Sequence, residues 1–335
     1  MLASFKNVKI SWLVSLLFFI PFSCTTANFE EDTEVVVADE NLNDQSEYFV
    51  VFGDIQEYTV SLATMVSYEK SVDWIQRQLK SGKNIVDVFE VGDVTWSNTR
   101  GQWQLFYDST VSLASQIPYF TCTGNHDYTW DNKSKIQDRY STLINDYAHF
   151  PATDKAILDY YASNSLENYV ARLSNKEDIN LLVLEFGPRQ EVVQWAKDYV
   201  ENHLEDRFIL LTHEWLTRYG ERISTGSYAE SQFSGYSSYS TPEEIWNILV
   251  KPNDNIICVL CGHNGFSAKL FSLNDARREV PQILFNLQYQ EYGGNGLVQL
   301  WEFPENSEYV NICAYDTINK EWYMPDSTFV TFKYR

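Results

Sequence analysis

Short apolar runs that stop at a glycine or a polar cluster recur along this chain. Tyr48–Phe52 ends in Gly53-Asp54, Ile85–Val91 in Gly92-Asp93, and Tyr119–Cys122 runs on into Gly124-Asn125-His126-Asp127. Leu181–Phe186, Arg207–Thr212 and Ile256–Cys261 continue the series, the last two followed by His213 and Gly262-His263. Runs of this length, rich in Val, Ile, Phe and Leu, predict buried strands. The stretches between them carry helical spacing. Val72, Ile75 and Leu79 share one face before Gly82, and Trp103–Ser115 and Val192–Val200 read the same way. Strands alternating with helices predict an α/β layered fold with a largely parallel sheet. In such sheets the functional groups gather beyond the carboxyl ends of the strands.

The C-terminal part changes character. Val280–Leu287, Leu297–Phe303, Tyr309–Tyr315 and Thr328–Tyr334 are strand-like with little helix between them. They predict a second, mainly antiparallel sheet packed on the first. No internal repeat and no proline-rich linker interrupts residues 48–335, so one domain is expected there.

The first 47 residues do not fit this rhythm. Lys6 and Lys9 precede an apolar run from Trp12 to Phe22, too short to span a bilayer, and Ser23-Cys24 follows. Residues 1–24 therefore read as a signal peptide. Pro21-Phe22-Ser23-Cys24 resembles a bacterial lipobox, which would make Cys24 a lipid-bearing first residue. Residues 25–47 hold eight acids and no base, with no periodic apolar face, and predict a flexible tether. The expected location is exported: a membrane-anchored lipoprotein, periplasmic or at the cell surface, and otherwise a secreted protein.

Composition narrows the function classes. The chain is 44% hydrophobic and 16% aromatic over 335 residues, enough for a sizeable core. Its formal charge of −21 argues against binding a nucleic-acid duplex, which needs a basic surface to displace counterions. Five cysteines give no disulfide framework. Cys258 and Cys261 lie three apart in one predicted strand, so they face opposite sides and predict buried thiols rather than a chelate or redox pair. The Ser224–Ser240 segment offers Tyr228, Tyr236 and Tyr239, able to stack on a sugar or nucleobase.

The polar strand ends carry the chemistry. Asp54-x-Gln56, Asp93, Asn125-His126-Asp127, His213 and His263 supply carboxylate, amide and imidazole donors suited to hard or borderline divalent metals. Any one of them alone reads as a turn or a cap. Five in succession, each at a strand end, predict a metal site.

This constellation resembles that of the calcineurin-like metallophosphoesterases, over roughly Tyr48 to the C-terminus, and Gly124-Asn125-His126-Asp127 is similar to that family's central motif in every position. Leu184–Pro188 and Gly293–Gly296 also look like segments of exported bacterial members. The resemblance implies a four-layer α/β/β/α sandwich of two mixed β-sheets flanked by helices. It implies two divalent ions, drawn from manganese, magnesium, iron, zinc or calcium, with Asp93 shared between them. Asn125, His213 and His263 would complete one site, and Asp54 and Gln56 would contribute to the other. His126 would protonate the leaving oxygen, oriented by a carboxylate, with Asp127 as its partner in catalysis. The implied reaction is hydrolysis of a phosphomonoester or phosphodiester by a metal-bound hydroxide. The substrate would be a phosphorylated small molecule, glycan or lipid, and the only membrane contact the lipid anchor.

Two positions depart from the family pattern. Gln56 stands where many members carry His, and Gly265 stands where the second His of Gly-His-x-His is expected. Both losses fall on the site of Asp54, for which Asn264 is the nearest substitute donor. They sustain an alternative from another class, a catalytically degenerate member acting as a binding lipoprotein.

Overall fold

The helix Leu62–Lys80 begins where the sequence supplies a cap: Ser61 and Thr64 exchange side-chain and backbone hydrogen bonds across its first turn. Thr99 caps the helix Arg100–Ala114 more simply, its side chain accepting the Gln102 N–H. The computed structural model describes residues 39, 41–131, 136–176, 178–233 and 238–334. The segment expected to be a signal peptide, Cys24 of the expected lipobox, most of the acidic stretch and Tyr236 lie outside the described residues. Among those described, no helix is long and apolar enough to cross a membrane.

Strands β1 (Ser46–Phe52), β2 (Asn84–Glu90) and β3 (Tyr119–Thr121) run parallel, side by side. A small hairpin, β4 (Thr129–Asp131) and β5 (Ile136–Asp138), follows the central motif. The next seven strands are β6 (Ile157–Tyr160), β7 (Tyr169–Arg172), β8 (Ile179–Val183), β9 (Arg207–Leu211), β10 (Ile256–Cys261), β11 (Phe266–Leu273) and β12 (Glu279–Asn286). They form one sheet in the order β11-β12-β10-β9-β8-β7-β6, with β8, β9, β10 and β12 parallel. Finally β13 (Leu297–Pro304), β14 (Tyr309–Asp316), β15 (Glu321–Tyr323) and β16 (Val330–Lys333) return to the first sheet. There β13 lies antiparallel against β1.

The C-terminal strands therefore do not build a sheet of their own, as their spacing had suggested. β12 joins the second sheet and β13, β14, β15 and β16 extend the first, so both sheets are mixed. Short connections without a crossover helix oblige successive strands to lie antiparallel, and each existing sheet had an edge to offer. Of the stretch expected to be an acidic tether, residues 39 and 41–47 are described. Asp39 is buried, accepting hydrogen bonds from Trp74 Nε1 (3.0 Å) and Tyr315 Oη (2.5 Å), and Leu42 sits in the core.

Strand alternation divides the core into layers. Phe49 and Phe89 face the second sheet, their tilted rings 5.4 Å apart, while Phe52 points to the helix layer, where its ring meets Tyr68 at 5.1 Å. In the second sheet, Ile179, Leu181 and Val183 pack with the first sheet's core, and Leu182 and Leu210 pack outward with Val192, Val193 and Ala196 of the helix Gln190–Asn202. Cys258 belongs to the inner cluster and Cys261 to the outer one. All four described cysteines are free and buried.

Candidate metal centre

Six strand ends meet at one edge of the sandwich. β1 delivers Asp54 and Gln56, β2 delivers Asp93, β3 delivers Asn125 and His126, β9 delivers His213, β10 delivers His263, and β12 delivers Asn286 and Gln288. The approach is close enough to exclude a side chain at the central motif. A Cβ on Gly124 would stand 2.1 Å from the Asp93 backbone nitrogen. Asp93 and His263 themselves adopt left-handed backbone angles, φ +58° and +70°. Such strain persists only where the surroundings impose it.

Around Asp93 the donors converge. His213 Nε2 lies 3.2 Å from Asp93 Oδ2 and 3.3 Å from Asn125 Oδ1, and His263 Nδ1 lies 2.8 Å from that same Asn125 oxygen. The two imidazole nitrogens are 3.3 Å apart. His213 Nδ1 faces the Val91 carbonyl at 2.7 Å and donates to it, which leaves a lone pair on Nε2 in the neutral ring. A carboxylate oxygen, an amide oxygen and two ring nitrogens thus point at one spot, and Asp93, His213 and His263 form a metal-capable cluster. Acceptors so arranged call for a cation. The donor set fits a divalent ion.

Electrostatics agree with that demand. Burial pushes Asp54 well above the usual carboxylate range, with the Asp93 charge adding to it. Burial also acts on Asp93, but the neighbouring His213 outweighs it and holds the carboxyl down to about 2. Burial would lower His213, yet Asp93 and Asp54 outweigh it and raise the ring to about 10. Burial, joined by the charge of His213, takes His263 down to about 3. Two buried carboxylates here recruit whatever positive charge can reach them, and a divalent ion would displace the His213 proton.

The neighbouring position, at Asp54, is built differently. Asp54 Oδ1 accepts the His263 N–H at 3.0 Å, and Oδ2 accepts from Asn286 Nδ2 at 2.5 Å and Gln288 Nε2 at 3.3 Å. Gln56 donates from Nε2 to Asp93 Oδ2 at 3.3 Å, while its Oε1 is buried with no hydrogen-bond partner. That orphaned acceptor fits a ligand of a second, oxygen-rich site. Asn264 does not help, because its side chain turns away to donate to the Leu216 carbonyl. Asn286 and Gln288 were not anticipated from the sequence.

His126 and Asp127 part company. His126 Nδ1 lies 2.8 Å from the Trp96 carbonyl oxygen, and its ring stands 5.1 Å from the Trp96 ring. Asp127 is fully buried. It accepts from the Gly124 and Thr95 amides at 2.9 Å each, the Val94 amide at 3.2 Å and the Thr95 hydroxyl at 3.0 Å. Asp127, expected as the partner of His126 in catalysis, has its carboxylate taken up by these amides and the hydroxyl. A backbone carbonyl orients the ring, and Asp127 clamps the β2 loop to the central motif. Burial, with the Asp93 charge behind it, pushes Asp127 up to about 6.

A cleft of about 150 Å³ opens above these groups, lined by Gln56, Glu57, Asp93, Trp96, Asn125, His126, Tyr228, His263, Asn264, Gly265, Gln288 and Tyr289. Neither Lys nor Arg is among them. Tyr228 opens the helix Tyr228–Gln232 and meets His263 edge-on at 4.4 Å. Glu214 fixes that helix start by accepting the Tyr228 and Ala229 amides. Behind it, Glu185 accepts from Arg139, Arg189 and Asn168, so the Leu184–Pro188 segment acts as a buttress.

Residues 48–265 match the family described as calcineurin-like phosphoesterase. The chain belongs to that family. Its two mixed sheets with flanking helices are consistent with the calcineurin-like fold, and such phosphoesterases are metal-dependent. The chain is 28% identical to the uncharacterized protein YvnB of Bacillus subtilis (strain 168) over 319 residues, 91% of this chain and 23% of that protein. A shorter stretch of 91 residues, 25% of this chain and 14% of its relative, is 33% identical to probable inactive purple acid phosphatase 9 of Arabidopsis thaliana. Another of 67 residues, 20% and 11%, is 36% identical to probable inactive purple acid phosphatase 27 of the same plant. The chain spans less than a quarter of the length of these curated relatives.

Proposed function

We propose that this chain hydrolyses a phosphate ester in a metal-dependent reaction. The observation that carries the proposal is the convergence of Asp93, Asn125, His213 and His263, four acceptor groups within reach of one cation. These residues would hold the first ion, and Asp54, Gln56 and the shared Asp93 a second. Bound divalent metal supplies Lewis acidity toward the phosphoryl oxygens and toward water. The protein's own part is positional. Asp93 Oδ1 accepts the His126 N–H at 2.8 Å, which ties the ring's backbone to the ion-holding carboxylate. With Nδ1 donating to the Trp96 carbonyl, Nε2 of the imidazolium is the atom that hands a proton to the leaving oxygen.

The substrate class is a phosphorylated small molecule, glycan or lipid. Lys6, Lys9, the apolar run and Ser23-Cys24 support export and a lipid anchor, which is the one membrane contact in this proposal. The test is turnover of 4-nitrophenyl phosphate esters by the purified chain with added manganese, set against a chelator control.

A second assignment, a binding lipoprotein that has lost catalysis, draws support from Gln56 and Gly265. It also draws on the plant relatives, whose names describe them as probably inactive. Stoichiometric metal binding with no turnover on any ester would favour it.

A further inference from the structure

The hydrolase proposed above has a mouth with unusual chemistry. Three exposed aromatic residues stand around it: Trp96 is 43% exposed, Tyr228 52% and Tyr289 71%. Trp96 leans on His126, the proton donor, whereas Tyr228 leans on His263 and Tyr289 lies over Gly265. Exposed rings grouped at a site offer stacking surface for flat or apolar groups. The rings lie beside two different parts of the centre, so they can receive two organic groups rather than one.

Charge points the same way. Among the described residues no Lys or Arg lines the cleft, and Glu57 does. Positive charge at the mouth therefore comes only from ions held on Asp54 and Asp93, with no basic side chain beside them to pair with a second phosphate charge. A phosphomonoester near pH 7 approaches two negative charges, because its second ionisation falls near pH 6. A phosphodiester carries one and brings a second organic group for the rings.

We propose that this site acts on phosphodiesters with aromatic or similarly flat ester groups in preference to phosphomonoesters; this rests on the hydrolase function above. Trp96 receives the leaving group beside His126, and Tyr228 and Tyr289 receive the group that stays on phosphorus. A bond forms from the water oxygen to phosphorus and the bond from phosphorus to the leaving oxygen breaks. Water gives up one proton, the leaving oxygen gains one, and the products are a phosphomonoester and an alcohol.

The experiment compares bis(4-nitrophenyl) phosphate with 4-nitrophenyl phosphate, which share a leaving group, on the manganese-loaded chain. The diester is expected to have a kcat/KM at least about 10-fold higher, the scale of one ring stack. Tyr228→Ala and Tyr289→Ala should each lower the diester value about 10-fold and the monoester value far less. Glu57→Gln should narrow the ratio by raising the monoester. Calorimetric titration with diphenyl phosphate and phenyl phosphate reads binding apart from turnover, and the diester should bind more tightly to wild type than to Tyr228→Ala. A monoester turned over as well as the diester, or a diester preference indifferent to Tyr228 and Tyr289, overturns the proposal and leaves the hydrolase standing. No turnover of either ester overturns both.

Discussion

The ring of Tyr289 fills the place of the missing side chain at Gly265: a Cβ there would stand 2.0 Å from Tyr289 Cε2 and 2.1 Å from Cδ2. Where the family resemblance leads one to expect a second histidine, a ring occupies the space, and the glycine makes room for it. Restoring an imidazole needs the ring removed. Gly265→His with Tyr289→Ala should tighten manganese binding by about 10–100-fold, the range over which changes around a metal act. Gly265→His alone should gain less, since Tyr289 must first swing away. Calorimetric titration of the metal-free proteins checks this; a double variant that folds and binds no more tightly removes Gly265 from the ligand position.

Asp127 and His126 should separate cleanly under mutation. Asp127→Ala strips the acceptor from three buried amides and a hydroxyl, at about 1–3 kcal/mol for each donor left unsatisfied, so a loss of about 4 kcal/mol or more is expected. His126→Ala should leave stability nearly unchanged and lower kcat by about 10²–10⁴. Urea denaturation and steady-state rates on both variants distinguish the clamp from the proton donor. An Asp127→Ala protein as stable as wild type would return Asp127 to the chemistry.

Much of this centre is legible in the sequence. Gly-Asp and Gly-Asn-His-Asp mark strand ends because chains that approach within van der Waals distance tolerate no Cβ, and Cys258 and Cys261 fell on opposite faces as a two-residue period demands. Asp127 and His126 point apart because neighbours in sequence need not be neighbours at a site. Asn125–Asp127 forms a 3-10 turn, which points successive side chains about a third of a turn apart, so His126 faces the cleft and Asp127 the interior. Asn286 and Gln288 carried no local signal at all. They are ordinary polar residues at the end of β12, brought to Asp54 only because β12 joins the second sheet beside β10. The sheet assignment of the last strands, and with it these two residues, depends on long-range pairing that periodicity does not encode.

A buried acid away from the centre makes the fold pH-sensitive. Asp87 on β2 joins the two sheets by accepting the Ser174 amide and hydroxyl at 2.8 Å each, and burial pushes it up to about 7. Its folded pKa exceeds the unfolded value near 3.9, so the unfolded chain loses the proton first. Stability from this group therefore falls as pH rises from about 4 to 7, and the cost is complete above that. Asp87→Asn keeps an acceptor for the amide and a donor toward the hydroxyl. It should be about 1–3 kcal/mol more stable than wild type at pH 8.5 and no more stable at pH 4.5, by urea denaturation. Equal gains at both pH values would mean that ionisation is not the cause.

Cys24→Ser tests the proposed anchor. Lipid chains hold a protein to a bilayer at about 0.8 kcal/mol per buried methylene, and they need the Cys24 sulfur for attachment. The variant should move from the membrane fraction to the soluble one. Wild type found soluble, or free of lipid by mass spectrometry, contradicts the lipoprotein assignment.

The central claim is that the atoms gathered on Asp93 hold metal in order to hydrolyse a phosphate ester. The most direct measurement follows bis(4-nitrophenyl) phosphate turnover and bound manganese together, in wild type, Asp93→Ala and Asp54→Ala. Asp93 touches both His213 and the Gln56 side, whereas Asp54 serves only the second position. The expected result is turnover that rises with manganese and vanishes with a chelator. It should disappear together with the bound metal in Asp93→Ala, and fall less completely in Asp54→Ala. Manganese bound by wild type at full stoichiometry with no ester turned over would contradict the account.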